Sequence, residues 1–142
     1  MSPLNWKGDE AIKATREAAA KAHWEFAEAL LTNTIQRTPK DEGTLRNSGT
    51  VTQADLPSAQ EVFKRAESGE EMNNAFAIDE NGDLVFFVSF NTPYAIKLHE
   101  AEPGEYNFRE PGAEVKFLEK TGREMSNKME KYTGERIREL LR

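Results

Sequence analysis

Apolar residues recur at Ile12, Ala19, Ala22, Phe26 and Leu30, in steps of seven, three, four and four, along a stretch from about Gly8 to Arg37 with no internal Gly or Pro and abundant Ala. That spacing keeps one face of a helix apolar and predicts a long amphipathic helix. Thr38-Pro39 ends it, because proline restricts the residue before it and cannot continue the hydrogen-bond ladder. Lys40-Asp41-Glu42-Gly43 then reads as a turn.

Residues 45–53 (LRNSGTVTQ) carry Thr and Val with weak alternation and predict a strand, with Gly49 as a possible bulge. Residues 55–74 open with Pro-Ser, show a short helical pattern around Val62 and Phe63, and end in an acidic patch, so they read as a partly helical excursion from the core.

The best local signal is AFAIDENGDLVFFVSF, two apolar runs joined through Asn81-Gly82, where both central residues of a type I′ turn need positive φ. It predicts a hairpin with strands 75–80 and 83–90. In that register Ile78 faces Val85 and Phe76 faces Phe87, while Leu84, Phe86, Val88 and Phe90 line the opposite face. A strand apolar on both faces needs a second cover, from residues 55–74 or from a neighbouring subunit, and the subunit is the preferred reading. Thr92-Pro93 breaks the strand, and residues 94–100 (YAIKLHE) resume as an extended or one-turn segment before a loop rich in Glu, Pro and Gly.

Leu118, Gly122, Met125, Met129, Tyr132, Arg136 and Leu140 form a stripe at steps of four and three, predicting a C-terminal helix. Gly122 and Gly134 mark a kink or a close backbone neighbour, and Met125 and Met129 read as core filler. The fold class is therefore α+β: a small antiparallel sheet with a long N-terminal helix and a C-terminal helix packed on it. The 142 residues suit one domain.

Composition removes several functions. There is no Cys and there are two His, which excludes thiolate chemistry and leaves any transition-metal site dependent on carboxylates. The start, MSPLNWKGDE, has no signal-peptide pattern, and no apolar run is long enough to span a membrane. A formal net charge of −6 argues against general nucleic-acid or membrane binding. Residues 55–83 hold eight acidic and two basic residues and residues 100–114 five and one, whereas residues 115–142 hold five and eight. Residues 55–74 and 100–114 thus read as exposed acidic loops or insertions. On the last helix Lys and Arg interleave with Glu at i, i+4 spacing, the pattern of a salt-bridged surface rather than a nucleic-acid stripe.

His99-Glu100 beside Tyr94 is the one cluster resembling a catalytic group, since a carboxylate can orient an imidazole as general base. No nucleophile elbow, phosphate loop or HExxH completes it, and a histidine bridging a subunit contact is preferred. Asp79, Glu80, Asn81 and Asp83 crowd a turn without the ligand alternation of a calcium loop. His23 reads as a packed helix residue. No cofactor is expected.

Three patterns in order resemble the small head-tail joining proteins of tailed phages. The first is Pro39, Asp41, Gly43, Thr44, Leu45, Arg46 and Ser48, with Glu42 as an inserted residue. The second is Tyr94-Ala95 followed by His99-Glu100, and the third is Phe117-Leu118 opening the last helix. The resemblance spans about residues 39–118; the long acidic connection 55–74 and the loop EAEPGEYNFREPG depart from it. It implies a non-enzymatic virion protein, made in the host cytoplasm, that forms a ring of about six copies between connector and tail tube. DNA would pass through without sequence-specific binding.

With the apolar hairpin, the resemblance assigns subunit or partner contacts to Asp41, Gly43, Leu45 and Arg46, to Val85 and Phe87, and to Tyr94, His99, Glu100 and Phe117. Glu102, Glu105 and Glu110 would face the lumen or a partner ring. The two long helices would pack outside the sheets. The competing readings are a small metal-dependent cytosolic hydrolase using His99, Glu100 and Asp41, and a peptide-binding adaptor using an open sheet edge.

Overall fold

The structure, a computed structural model, describes residues 8–39, 43–53, 55–69, 84–106, 108 and 112–142. Along them run α1 (Gly8–Arg37), α2 (Thr44–Asn47), β1 (Thr50–Gln53), α3 (Ala59–Glu67), β2 (Phe86–Ser89), α4 (Ala95–His99) and α5 (Phe117–Leu140). The α+β class holds: two long helices accompany a small antiparallel sheet.

The layers are α5, α1 and the sheet, with α1 in the middle. Trp24, Ala27 and Leu31 meet Val51, Phe86, Val88 and Phe90 on the sheet side. On the other side Phe26 meets Tyr132 with tilted rings at 5.7 Å between centroids, and Glu25 and Arg37 reach Arg136 and Glu124. Those pairings run in opposite directions along the two helices, so α1 and α5 are antiparallel. α1 thus buries two faces, one on the sheet and one on α5. The predicted stripe captured Ala22 and Phe26, but Ile12 is 61% exposed, and the buried Ala20 and the sheet-facing set Trp24, Ala27 and Leu31 were missed. Alanine contributes too little hydropathy to make a second face stand out.

Threonines complete the helix interface. Thr34, Thr38, Thr121 and Thr133 are buried, and each hydroxyl donates to the carbonyl four residues earlier at 2.6–2.8 Å. With its polar atom satisfied, a threonine packs as a small apolar side chain. Met129, expected as core filler, is instead 38% exposed. Among the described residues, ideal Cβ atoms at Gly122 and Gly134 would meet nothing within 4 Å, so no other described backbone passes close to either.

β1 and β2 pair as Thr50↔Ser89, Val51↔Val88, Thr52↔Phe87 and Gln53↔Phe86. The expected strand over 45–53 is corrected at its start: residues 44–47 form one helical turn, entered through Gly43 at φ 86°. Ser48 closes that turn, its Oγ donating to the Leu45 carbonyl at 2.7 Å and accepting the Asn91 N–H at 3.1 Å. Gly49 precedes the strand rather than bulging within it, and its missing Cβ makes room for Leu31 and Phe90. The Asn81-Gly82 turn, strand 75–80, both predicted cross-strand pairs and the acidic turn at 79–83 lie outside the described residues. Within 83–90, Phe86, Val88 and Phe90 pack on the core as the alternation requires, whereas Leu84 is exposed.

α3, capped by Ser58, buries Val62 and Ala66 and contacts α2, so this part of the acidic connection packs on the body rather than leaving it. Residues 94–100 adopt the one-turn alternative as α4.

Candidate functional site at the α4–α5 junction

Leu45 of α2, Ala95 of α4 and Phe117 of α5 form one buried cluster, flanked by Phe90, Leu98 and Leu118. The Phe117 ring meets Phe90 edge-on at 5.6 Å and His99 edge-on at 5.0 Å. The three segments that carry the family resemblance are therefore brought together by packing.

His99 sits between two helix ends. Its Nδ1 is 2.8 Å from Glu100 Oε1, and its Nε2 accepts the backbone N–H of Glu119 at 3.3 Å. An amide can only donate and a carboxylate can only accept, so the ring carries its proton on Nδ1. Glu119 is the third residue of α5, whose N-cap Lys116 makes no side-chain cap bond. His99 thus supplies, from 20 positions away, the acceptor that a local Ser or Asp usually provides.

The His99 carbonyl accepts the Lys116 N–H at 2.7 Å, fixing the point where α5 begins. Lys116 holds the left-handed conformation there at φ 56°, uncommon for a residue with a Cβ. Its ammonium pairs with Glu100 and approaches Glu119 at 3.7 Å. Lys116, and then His99, hold the Glu100 carboxyl below its usual range, while Glu100 raises the Lys116 ammonium.

Both ring nitrogens of His99 are engaged within the chain. A general base needs a lone pair facing a substrate, and the Nε2 lone pair of His99 is used by α5. The cavity beside it, lined by Phe90, Ala95, Ile96, Phe117 and Leu118 together with His99 and Glu100, is about 160 Å³. A small-molecule site usually offers roughly 300 Å³ or more. A larger cavity, about 450 Å³ along the start of α1, has Arg16 as the one ionisable residue among the described residues of its lining. Among the described residues no three His, Asp or Glu side chains gather closely enough to hold a metal ion, and no helix is long and apolar enough to cross a membrane.

The predicted contact residues divide by position. Leu45 and Phe117 are 3% and 1% exposed, and their side chains build the chain's own core. Gly43 is buried and supplies the turn into α2, and Arg46 donates from Nε to the Thr38 carbonyl at 2.7 Å, capping the end of α1. Phe87 is half-buried, Val85 and Tyr94 are exposed, and Glu100 is exposed but paired. Glu102 and Glu105 are exposed, and the Glu102 N–H donates to the Glu105 carboxylate at 3.0 Å. Asp41 and Glu110 lie outside the described residues.

Sequence reasoning missed Ile96, which at 78% is the most exposed of the large apolar residues described. An isolated apolar residue in a five-residue helix gives no periodic signal. Comparison with family models, curated proteins and solved structures finds no match for this chain.

Proposed function

We propose that this chain is a structural subunit of a tailed-phage neck, assembling with copies of itself into a ring of about six at the head-tail junction. The observation that carries the reading is the meeting of all three resemblance segments in the Leu45–Ala95–Phe117 cluster. Residues that resemble a family pattern are used there for packing and helix capping, which is what an assembly protein requires of them. The occupied nitrogens of His99 weigh against the hydrolase reading.

In the ring, the exposed Ile96 and the cavity beside it meet a neighbouring subunit, and connector and tail-tube proteins lie above and below. Glu102, Glu105 and Glu110 face the channel and repel DNA phosphates, so the genome passes without adhering. Negative-stain imaging of concentrated protein tests the reading. Rings with a central channel are expected, lost in Ile96→Asp while the helical circular dichroism is kept. Absence of ordered particles, with or without connector and tail-tube partners, would overturn it.

A further inference from the structure

We propose that His99 is a proton-sensitive latch between α4 and the start of α5, opened when its imidazole gains a second proton. The inference is independent of the ring reading. In the neutral ring Nδ1–H faces Glu100 and the bare Nε2 accepts the Glu119 N–H. Protonation turns Nε2 into a donor pointing at a donor, beside the positive end of the α5 dipole. The bond to α5 is lost, whereas the bond to Glu100 strengthens because the ring now carries charge.

The two outcomes differ in place. Glu100 adjoins His99 in the chain, so the strengthened pair holds α4 together and contributes nothing across the junction. The lost bond does cross it, alongside the Lys116 N–H bond to the His99 carbonyl and the Lys116–Glu100 pair. The charged groups around the ring support this direction. Glu100 is shared with Lys116, which a charged imidazole must now compete with. The Glu119 carboxylate is engaged by Arg123 at 2.8 Å and by Lys116 at 3.7 Å. Phe117 lies at 83° to the His99 ring with centroids 5.0 Å apart and offers no oxygen or nitrogen acceptor.

Histidine is the side chain that ordinarily changes charge between pH 8 and pH 5. Opening therefore loosens the first turn of α5 and its contact with the end of α4, while the α1–α5 interface stays packed.

Hydrogen exchange of the Glu119 amide, corrected for intrinsic rates, tests the latch. Protection in the native chain should fall about fivefold to tenfold from pH 8 to pH 5, the size of a lost N-cap, with Thr133 unchanged as an internal control. His99→Gln places an acceptor that does not titrate and should flatten the profile. NMR of the unmodified protein provides a second readout that needs no variant: the imidazole should be Nδ1-protonated at pH 8, and the Glu119 amide shift should titrate with the ring. A flat native profile, an equal slope in His99→Gln, protection that rises toward pH 5, or an Nε2-protonated ring at pH 8 would each overturn the proposal.

Discussion

Arg136 grips Glu25 with two nitrogens, Nε to one carboxylate oxygen at 2.8 Å and Nη2 to the other at 3.2 Å, tying the last turns of α5 to the middle of α1. The pair is half-buried, and the two carboxylates around Arg136, first Glu25 and then Glu139, raise its already high pKa further. Two parallel bonds fix direction as well as distance, which sets the register of the antiparallel helices. Arg136→Lys keeps the charge and loses the fork. It should lower Tm by a few degrees, and Glu25→Gln combined with it should add little more. Strictly additive losses in thermal melts would contradict a shared bond.

Phe117 is the centre on which α2, α4 and α5 converge. Phe117→Ala should cost about 3–5 kcal/mol in urea unfolding, through lost burial and the cavity left between Leu45 and Ala95. A cost below about 1 kcal/mol would mean that the junction is not packed as described.

The glycines should respond in opposite directions. A Cβ on Gly49 would lie 2.7 Å from Leu31 Cδ1, 3.0 Å from Phe90 Cε1 and 3.3 Å from the Arg46 carbonyl, so Gly49→Ala should destabilise by about 1–3 kcal/mol. Gly122 and Gly134 stand in the interior of α5 with nothing within 4 Å of such a Cβ. Their replacement by Ala should stabilise by about 0.5–1 kcal/mol each, measured by the same unfolding curves.

Acid should weaken the fold through Glu100 and Glu124. Lys116 and then His99 depress the first, and Arg37 depresses the second. A carboxylate with a depressed folded value contributes stability that is complete above its unfolded value of about 4.3 and is lost as pH falls through the folded value. Their share of Tm should be level from pH 7 to about 5 and decline below that. Glu100→Gln and Glu124→Gln should each lower Tm at pH 7 and flatten the acid limb. The basic partners Lys116 and Arg37 are raised, so their contribution is present below their unfolded values and disappears only in strong alkali.

The long helices were legible because thirty and twenty-four residues give periodicity room to show. α2 was not, and α4 was legible only as one of two alternatives, since four or five residues hold little more than one turn. The Thr and Val of residues 50–53 drew the predicted strand back over Leu45, where Gly43 and Ser48 in fact bound a helical turn. The buried face of α5 was misread at Met129 because hydropathy ranks methionine above threonine. Thr121 and Thr133 hide their hydroxyls in their own helix. His99 was legible as an unusual residue, but its partner Glu119 is 20 positions distant, and a cap supplied by another element leaves no local pattern.

Solution mass by light scattering across a concentration series, on the unmodified chain and on Ile96→Asp, tests the central claim most directly. The ring reading predicts a closed species of about six or twelve chains that stops growing with concentration and is absent in the variant. A monomer of 16.1 kDa at every concentration, unchanged by connector and tail-tube partners, would contradict it.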